Sequence, residues 1–262
     1  LADSLASQHG IKAMFAEVDV TSTASVDKMA EAVKARFEHV QILCNNAGTV
    51  LGVPNAVHTY DEDAWMKTID VNLHGVFRVS KAIVPLMTAG GGCIVNVASR
   101  AAKVPPLFNG AYAVAKAGVV MLTKVMAKEL AGAGIRVNAI CPGGVDTPML
   151  AGEAEERGMD VDEFLAMVAE NSPNGRIATP EDVAALALWF RSSHLALAMA
   201  LNVSIARGGS YVADVSPVWA RSLYEQGWQE PLMLAAAMAD RRVFLSAHRR
   251  RRGPRAGRPD HG

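Results

Sequence analysis

The sequence Cys93-Ile94-Val95-Asn96-Val97-Ala98 is a short apolar run, and Ile135-Arg136-Val137-Asn138-Ala139-Ile140 is a second one further along the chain. Between them lies an apolar-periodic segment from about Tyr112 to Leu130. The two runs have the length and composition of buried strands, and the segment between them has those of a helix that ends at nearby glycines. Parallel strands require such a crossover helix. This part of the sequence therefore predicts a βαβ unit.

The same alternation of strand and helix patterns extends in both directions from this unit. The predicted elements, in chain order, are a strand over Lys12–Val18, a helix opened by Ser25 and extending to Phe37, a strand over Val40–Cys44, a helix from Asp61 to Met87 closed by Gly90, Gly91 and Gly92, a helix opened by Thr179 and Pro180, and final strand segments at Ala200–Val203 and Gly208–Val212. This rhythm indicates a sheet covered by helices on both faces. The predicted fold is α/β, a three-layer Rossmann-like domain with a mostly parallel sheet and ligands at the carboxyl ends of its strands.

The composition fits one large domain. The chain has 262 residues, half of them hydrophobic, and a formal net charge of zero. Balanced charge gives no general attraction to nucleic acid or anionic membranes, no run of about 18 uninterrupted apolar residues occurs, and the chain does not open on a signal segment. We expect a cytoplasmic protein without a nucleic-acid or membrane partner. The cysteines have no metal-ligand spacing and predict buried thiols, with neither a disulfide nor a metal: Cys44, Cys93 and Cys141.

Tyr112 and Lys116 are one helical turn apart, and Ser99 follows the apolar run that precedes them. Positions i and i+4 share a helix face, so the ammonium of Lys116 can lie beside the phenol of Tyr112. At a separation of about 5 Å and an effective dielectric constant of about 20, the attraction to a phenolate is roughly 3 kcal/mol, which would lower the tyrosine pKa toward 8. The pair therefore predicts a proton-transfer site, and the alternative is an exposed lysine beside a half-buried tyrosine.

Four motifs occur in one order, each at a predicted strand end or on the helix that follows. They are Asn45-Asn46-Ala47-Gly48, Ser99, Tyr112-x-x-x-Lys116, and the segment from Pro142 through Gly143, Val145 and Thr147 to Met149. In this combination the chain resembles a classical short-chain dehydrogenase/reductase over roughly residues 1–212. The resemblance implies an NAD(P)-dependent oxidoreductase that transfers a hydride between the nicotinamide and a secondary alcohol or ketone.

The resemblance also implies a role for each catalytic residue. Tyr112 protonates the carbonyl oxygen during reduction and removes the hydroxyl proton during oxidation, while Ser99 hydrogen-bonds the same oxygen. Lys116 lowers the tyrosine pKa and binds the nicotinamide ribose. Asn72 supports a water chain from the lysine to solvent.

The cofactor contacts implied by the resemblance lie at four places in the sequence, besides Tyr112 and Lys116. They are Asp19 and Val20 at the adenine, Asn46, Ala47 and Gly48 beside the adenosine ribose, the turn formed by Pro142 and Gly143, and Val145 and Thr147 at the nicotinamide amide and the phosphates. Each has a simpler alternative: Asn45 and Asn46 as a turn only, Asp19 as the cap of the next helix, and Ser99 as a strand terminator.

The sequence departs from the family pattern at both ends. No glycine-rich turn between a first strand and first helix precedes Asp19, so we expect the Rossmann-like domain to be incomplete at its N-terminus, with an unpaired apolar edge on the strand that ends at Cys44. The choice between NAD and NADP cannot be read without that unit. At the other end, residues 213–262 form a divergent tail, rich in arginine, glycine and proline near Arg249–Pro259, for which we predict disorder and hypothesise a reading-frame change.

Three functions remain open at the level of sequence. The first is reduction or oxidation of a small-molecule alcohol or ketone, and the second is a 3-oxoacyl-(acyl-carrier-protein) reductase activity. The third is an inactive remnant or assembly partner, since the helices near Val71–Met87 and Tyr112–Leu130 resemble those through which the family forms dimers and tetramers. Substrate contacts are expected from a group of pocket residues: Lys103, Val104, Pro105, Phe108, Met149 and Leu150.

Overall fold

The computed structural model describes residues 2–37, 39–87, 92–172, 175–191, 202–206 and 210–214. The helices in this part of the chain are α1 (Ala2–His9), α2 (Thr23–Arg36), α3 (Glu62–Ile69), α4 (Gly75–Ile83), α5 (Gly110–Glu129), α6 (Pro148–Glu156), α7 (Val161–Glu170) and α8 (Pro180–Arg191). The strands are β1 (Ile42–Asn45), β2 (Gly92–Val97), β3 (Ile135–Ile140), β4 (Asn202–Ala206) and β5 (Ser210–Asp214). Short 3-10 turns lie at Val57–Thr59, Val84–Leu86, Arg100–Ala102 and Ala131–Ala133.

The five strands form one sheet in the order β1-β2-β3-β4-β5. The first four are parallel, with Cys44 opposite Val95, Ile94 opposite Val137, and the last residue of β3 opposite the second of β4. Only β5 is antiparallel, as the second strand of a hairpin with β4. The mostly parallel sheet predicted from the sequence is confirmed.

Helices cover both faces of the sheet. On one face, Ile94 and Val137 pack in a buried cluster with Ile83 of α4 and Met126 of α5. On the other face, the thiol of Cys93 and the guanidinium of Arg136 both donate to the carbonyl oxygen of Phe190 in α8. Because side chains alternate along a strand, each strand binds a helix layer on either side. The structure has the three layers expected from the sequence.

The segment predicted as one helix from Asp61 to Met87 is helical up to Leu86, with a π-helical turn in its middle. Asp61 is the N-cap of α3 and accepts a hydrogen bond from the Ala64 N–H. The π turn, Asp70–His74, joins α3 directly to α4. A π turn inserts an extra residue and rotates the helix face, and such turns are frequent at functional sites.

The strand predicted over Lys12–Val18 is not formed, and this prediction is wrong for the described structure. Residues 11–19 are irregular. A strand needs a neighbour that completes its hydrogen bonds, and no other strand lies beside this segment in the described part of the chain. The following helix begins at Thr23, because Ser22 rather than Ser25 is its N-cap and accepts the Ser25 N–H.

The unpaired edge expected beside Cys44 is present. Within the described residues β1 is an edge strand, Ile42 is 44% exposed, and Cys44 is exposed. The prediction of a buried thiol is therefore wrong for Cys44, because within the described residues no strand lies beside β1 at this edge of the sheet. Cys93 and Cys141 are buried, as predicted.

The helix start predicted at Thr179 is confirmed in detail. The Asp182 N–H bonds to the Thr179 hydroxyl, and the Thr179 N–H bonds to the Asp182 carboxylate at 2.9 Å. This reciprocal arrangement satisfies two backbone donors that a helix start otherwise leaves open. Arg176 adds two bonds to the same carboxylate.

Three further sequence predictions lie wholly or partly outside the described residues. They concern the helix stop at Gly90 and Gly91, the last predicted strands between residues 200 and 212, and the disordered tail over 213–262. Within the described residues, Gly92 opens β2, and β4 and β5 lie close to the predicted strand positions. The helix α5 is long and apolar enough to cross a membrane, yet it packs on β3 and contributes buried residues to the core.

Candidate active site

Ser99, Tyr112 and Lys116 meet beyond the carboxyl end of β2. Ser99 follows that strand and caps the 3-10 turn by accepting the Ala101 N–H at 3.1 Å. The Ser99 side chain also lies close enough to the Tyr112 hydroxyl to lower its pKa. One turn further along α5, Lys116 Nζ lies over the Tyr112 ring, 5.5 Å from its centroid. The structure thus brings together the three residues that the sequence places in a proton-transfer site.

Lys116 is a buried cation, only 3% exposed. Its Nζ donates a 2.9 Å bond to the carbonyl oxygen of Val97, at the last position of β2. Burial lowers the pKa of Lys116 from 10.5 to about 8. Since this value is above neutral pH, the side chain is still mostly charged under physiological conditions.

The expectation that Lys116 lowers the pKa of Tyr112 toward 8 is wrong for this structure. Burial raises the pKa of Tyr112 above its ordinary value of 10.0, and the nearby Ser99 hydroxyl opposes that rise without cancelling it. The physical reason is that the phenol is removed from water, while the ammonium lies over the ring rather than in a hydrogen bond to the hydroxyl. In the protein alone, Tyr112 is a protonated acid at neutral pH.

Asn72 lies in the π turn and is completely buried. Its amide nitrogen donates to the carbonyl oxygens of Thr49 at 2.7 Å and Thr68 at 2.8 Å, and its oxygen accepts the Thr49 N–H at 3.3 Å. The side chain therefore fastens the loop after β1 to the long helix. Gly48 fits this junction tightly, because a Cβ there would lie 2.9 Å from Asn72 Oδ1 and 3.5 Å from Lys116 Nζ.

The remaining residues of the Asn45-Asn46-Ala47-Gly48 motif divide into a buried and an exposed part. Asn45 is buried and donates to the Ser80 hydroxyl at 3.0 Å and to Asn96 Oδ1 at 2.8 Å. Asn96 in turn donates to Thr123 of α5. Asn45 is thus more than a turn residue, since it ties β1 to β2 and α4. Asn46 and Ala47 are exposed beyond the end of β1.

Asp19 and Val20 lie in the turn that precedes α2, and Asp19 is exposed. The Asp19 carboxylate accepts the Thr21 N–H at 2.9 Å and the Thr21 hydroxyl at 2.7 Å, which lowers its pKa. The alternative role of Asp19 as the helix cap is wrong, because Ser22 caps α2. Val20 is held from α4, where Arg78 donates to its carbonyl oxygen at 3.2 Å.

The segment after β3 is anchored at both ends. Pro142 is buried, and its carbonyl oxygen accepts the Arg100 N–H at 2.8 Å, which ties this segment to the turn after Ser99. Gly143 follows it, partly exposed. Val145 bridges to Ala178. Thr147 is the N-cap of α6, and its hydroxyl donates to the Val145 carbonyl oxygen at 3.2 Å.

The predicted substrate contacts flank Tyr112 on the segment before α5 and on α6. These residues are Lys103, Val104, Pro105, Phe108, Met149 and Leu150, and all are at least partly exposed. The exposed fractions of the large apolar side chains are 55% for Val104, 52% for Phe108 and 44% for Met149. Phe108 has a φ of 61°, a conformation that costs a bulky residue energy and that clusters at functional sites. Its carbonyl oxygen accepts the Asn55 N–H at 3.0 Å.

Comparison with known proteins identifies the family. A family model described as enoyl-(acyl carrier protein) reductase matches residues 1–209. The chain is 36% identical over 206 residues to cis-4-hydroxycyclohexanecarboxylate dehydrogenase of Sinomonas cyclohexanicum, covering 78% of each protein. It is 34% identical to a 3-oxoacyl-(acyl-carrier-protein) reductase of Chlamydia pneumoniae, covering 76% of this chain and 77% of that protein. The chain belongs to the short-chain dehydrogenase/reductase family.

The three-dimensional comparison agrees with this assignment. The crystal structure of a variant of the actinorhodin polyketide ketoreductase with NADPH superimposes with a TM-score of 0.65 at 34% identity, covering 69% of this chain and 71% of that one. This short-chain dehydrogenase/reductase is therefore an NAD(P)-dependent oxidoreductase that acts on CH–OH groups and the corresponding ketones. The enzyme class, the fold and the cofactor class expected from the sequence are confirmed.

Lys116 fits the nicotinamide half of such a cofactor. Its ammonium uses one of its three donors within the described residues, so ribose hydroxyls would find partners there. Among the described residues, no glycine-rich turn joins a strand to a helix, so the pyrophosphate contacts are not visible in this part of the chain.

Two residues with a clear place near this site were missed in the sequence. Arg78 and Gly75 both contact Val20 from α4. The sequence signal is recognisable only once the structure is known, because Gly75 and Arg78 follow Asn72 on a helix whose face is rotated by the π turn. Helical periodicity alone, without knowledge of the π turn, does not predict which face of the helix Gly75 and Arg78 occupy.

Proposed function

We propose that Tyr112 is the proton donor and acceptor of the reaction, with Ser99 and Lys116 as its partners. The observation that carries the proposal is the convergence of three side chains, since Ser99 acts on the Tyr112 hydroxyl and the buried Lys116 ammonium lies 5.5 Å from the Tyr112 ring centroid. A bound nicotinamide supplies the hydride to the carbonyl carbon in reduction and accepts it in oxidation. The protein supplies the proton and stabilises the charge that its transfer leaves behind.

In reduction, the Tyr112 hydroxyl gives its proton to the carbonyl oxygen and becomes a phenolate. Ser99 donates a hydrogen bond to the same oxygen and holds it against the tyrosine. The raised pKa of Tyr112 keeps it protonated and ready to act as an acid at neutral pH. The Lys116 ammonium, held by the Val97 carbonyl oxygen, stabilises the phenolate until a proton returns to it.

Asn72 contributes by fixing the loop that carries Gly48 against Lys116. Its three hydrogen bonds to Thr49 and Thr68 occupy both amide hydrogens. This positions the backbone beside the lysine, where the family resemblance places a water chain to solvent. Asp19, Val20, Asn46, Ala47, Pro142, Gly143, Val145 and Thr147 are proposed as the remaining cofactor contacts.

The substrate is proposed to be an apolar secondary alcohol or ketone. The segment before α5 and the start of α6 expose Val104, Leu107 at 79%, Phe108 and Met149, and exposed apolar side chains favour contact with apolar parts of a ligand. Lys103 is a cationic residue of the segment before α5. An acyl chain on a carrier thioester is the second candidate, favoured by the 34% identity to the Chlamydia reductase.

The test uses the full chain with NADH and with NADPH, and it follows the loss of reduced-nicotinamide absorbance with cyclohexanone, a long-chain ketone and an acetoacetyl carrier-protein thioester. We expect turnover with the apolar ketones and a decrease of at least about 100-fold in kcat for Tyr112→Phe. Full activity of Tyr112→Phe would contradict the mechanism. Preference for the thioester would support the second candidate, and no dinucleotide binding at all would support an inactive remnant.

A homodimer is proposed as the assembly, in a cytoplasmic protein. Val114, Met121 and Val125 form an apolar stripe on α5 and are 52%, 59% and 43% exposed. Phe77 on the neighbouring α4 is 51% exposed. Such a patch on two adjacent helices favours packing against the same patch of a second copy across a twofold axis.

A further inference from the structure

Arg78 connects the turn that contains Val20 to the long helix beside it. Its NH1 group donates to the Val20 carbonyl oxygen at 3.2 Å, and its NH2 group donates to Asp70 Oδ1 at 2.8 Å. Arg78 and Asp70 are mostly shielded, with side-chain exposures of 21% and 30%. A guanidinium can bind two acceptors at once in a fixed plane, so Arg78 holds the Val20 backbone at a defined distance from α4.

Gly75 makes a second contact to the same turn. A Cβ at this position would lie 2.8 Å from Val20 Cγ2 and 3.1 Å from Val20 Cβ. The Val20 side chain therefore packs against bare helix backbone. Any side chain at residue 75 would push the turn away from α4.

The turn needs this support because the sheet does not hold it. Residues 11–19 form no strand in the described part of the chain. Locally, the Asp19 carboxylate bonds to Thr21, and the Asp19 N–H bonds to Ser25. These bonds shape the turn but do not fix it against the rest of the domain, which Arg78 and Gly75 do.

The π turn relates this anchor to the catalytic side of the cleft. Asp70 and His74, its first and last residues, bond to each other at 2.9 Å, and Asp70 also holds Arg78. Asn72 lies between them, is buried, and forms two hydrogen bonds with the backbone of Thr49. One π turn thus directs side chains to two loops, the Val20 turn on one side and the Gly48–Thr49 loop on the other.

We propose that Arg78 is a positioning residue for the adenosine half of the dinucleotide. It preorganises the Asp19–Val20 turn, which the proposed function assigns to the adenine, and the inference rests on that assignment. A loop held in its bound conformation does not lose that freedom on binding, so the anchor increases nucleotide affinity. Arg78 touches neither substrate nor reacting atoms, so its loss affects nucleotide binding rather than the chemical step.

The test compares the wild-type protein with Arg78→Met, which keeps an apolar stem of similar length and removes both hydrogen bonds. Lys81→Met is the matched control, because it removes the same charge from an exposed position of the same helix. For Arg78→Met we expect amide hydrogen exchange of residues 17–22 to be about tenfold faster without ligand. We also expect the Kd for AMP and for NADH, measured by calorimetry, to rise about tenfold, the effect of losing a charged hydrogen bond.

Turnover separates positioning from catalysis. At saturating cofactor, Arg78→Met should keep kcat within about twofold while KM for the cofactor rises. Gly75→Ala is a second variant that retains Arg78 and displaces Val20, and it should raise the same Kd. If Arg78→Met unfolds, Gly75→Ala decides the question.

Unchanged exchange and unchanged AMP affinity in both variants overturn the inference, as does a wild-type protein that binds no adenosine nucleotide. Failure of the proposed function is distinguishable, because it would appear as full activity of Tyr112→Phe, whereas the exchange and AMP measurements involve no turnover.

Discussion

Lys116 Nζ lies 5.5 Å from the ring centroid of Tyr112 and donates to the carbonyl oxygen of Val97, with 3% of the lysine exposed. The ammonium is therefore bound between a strand end and an aromatic face. Burial favours the neutral form of both side chains, because it raises the pKa of Tyr112 and lowers the pKa of Lys116.

The buried lysine should make stability increase with pH in the alkaline range. Its pKa falls from 10.5 to about 8 on folding, so between these pH values the unfolded chain binds more protons and rising pH favours the folded state. The upper limit is about 3 kcal/mol. Urea unfolding of the wild type and Lys116→Met at pH 7, 8.5 and 10 should show the wild type gaining stability relative to the variant. Parallel profiles would contradict the burial of a titrating ammonium.

Ser99→Ala should alter the pH dependence as well as the rate. The Ser99 hydroxyl lowers the pKa of Tyr112 against the larger effect of burial, so removing this hydroxyl should raise that pKa further. Oxidation needs the tyrosine deprotonated, and its kcat/KM should rise only at higher pH than in the wild type, with a maximal rate about 100-fold lower. A pH–rate profile in the direction of alcohol oxidation measures both. A variant with lower rate and an unshifted profile would mean that Ser99 does not touch the phenol.

Asn72→Ala should destabilise the domain more than the loss of an exposed amide side chain would. It leaves the Thr49 N–H and the carbonyl oxygens of Thr49 and Thr68 without their partner, and we expect a loss of about 2–4 kcal/mol in the free energy of unfolding. Asn171→Ala is the control, because this exposed asparagine makes one bond to its own helix. Denaturant unfolding checks the difference, and equal losses in both variants would argue against the loop anchor.

Asp182 should contribute stability that is lost in acid. Its hydrogen bonds to Arg176 and to the Thr179 N–H lower its pKa from 3.8 to about 2, so the contribution is present above pH 4 and disappears as pH falls toward 2. Arg176 is 51% exposed, and with solvent screening we expect about 1 kcal/mol at pH 7. Thermal unfolding of Asp182→Asn against Glu181→Gln between pH 2 and 7 measures it. The Asp182→Asn deficit should vanish at the acid end of this range.

Met121→Glu should dissociate the proposed dimer. A carboxylate at the centre of the exposed α5 stripe would be buried without a partner in the interface, which opposes association. Sedimentation velocity should give a monomer for this variant and a dimer for the wild type. Met167→Glu, at an exposed methionine of α7, is the control and should stay dimeric. A monomeric wild-type protein would remove the basis for this interface.

Much of the fold follows from local pattern. The strands β2 and β3 and the helix α5 lie within about two residues of their predicted limits, because apolar runs and capping residues act locally. The strand predicted over Lys12–Val18 does not form, because strand formation depends on a neighbour that no local pattern supplies. The exposure of Cys44 has the same cause.

The candidate site, like the fold, could be predicted only in part from the sequence. The sequence predicts that Ser99, Tyr112 and Lys116 act together, since one lies at a strand end and the others share a helix face. It does not predict the π turn at Asp70–His74, which decides that Asn72 binds Thr49 and that Arg78 binds Val20. A single inserted residue rotates all later side chains about the helix axis. Helical periodicity averaged over the whole segment does not reveal that rotation.

The sequence by itself determined the family and the reaction class, because these depend on residue types at fixed spacing. Only the tertiary structure decided the protonation state of Tyr112 and Lys116 and the contacts that hold the loops at Val20 and at Gly48–Thr49. Burial sets the pKa of Tyr112 and Lys116, and burial is a property of what packs around a side chain rather than of its neighbours in sequence.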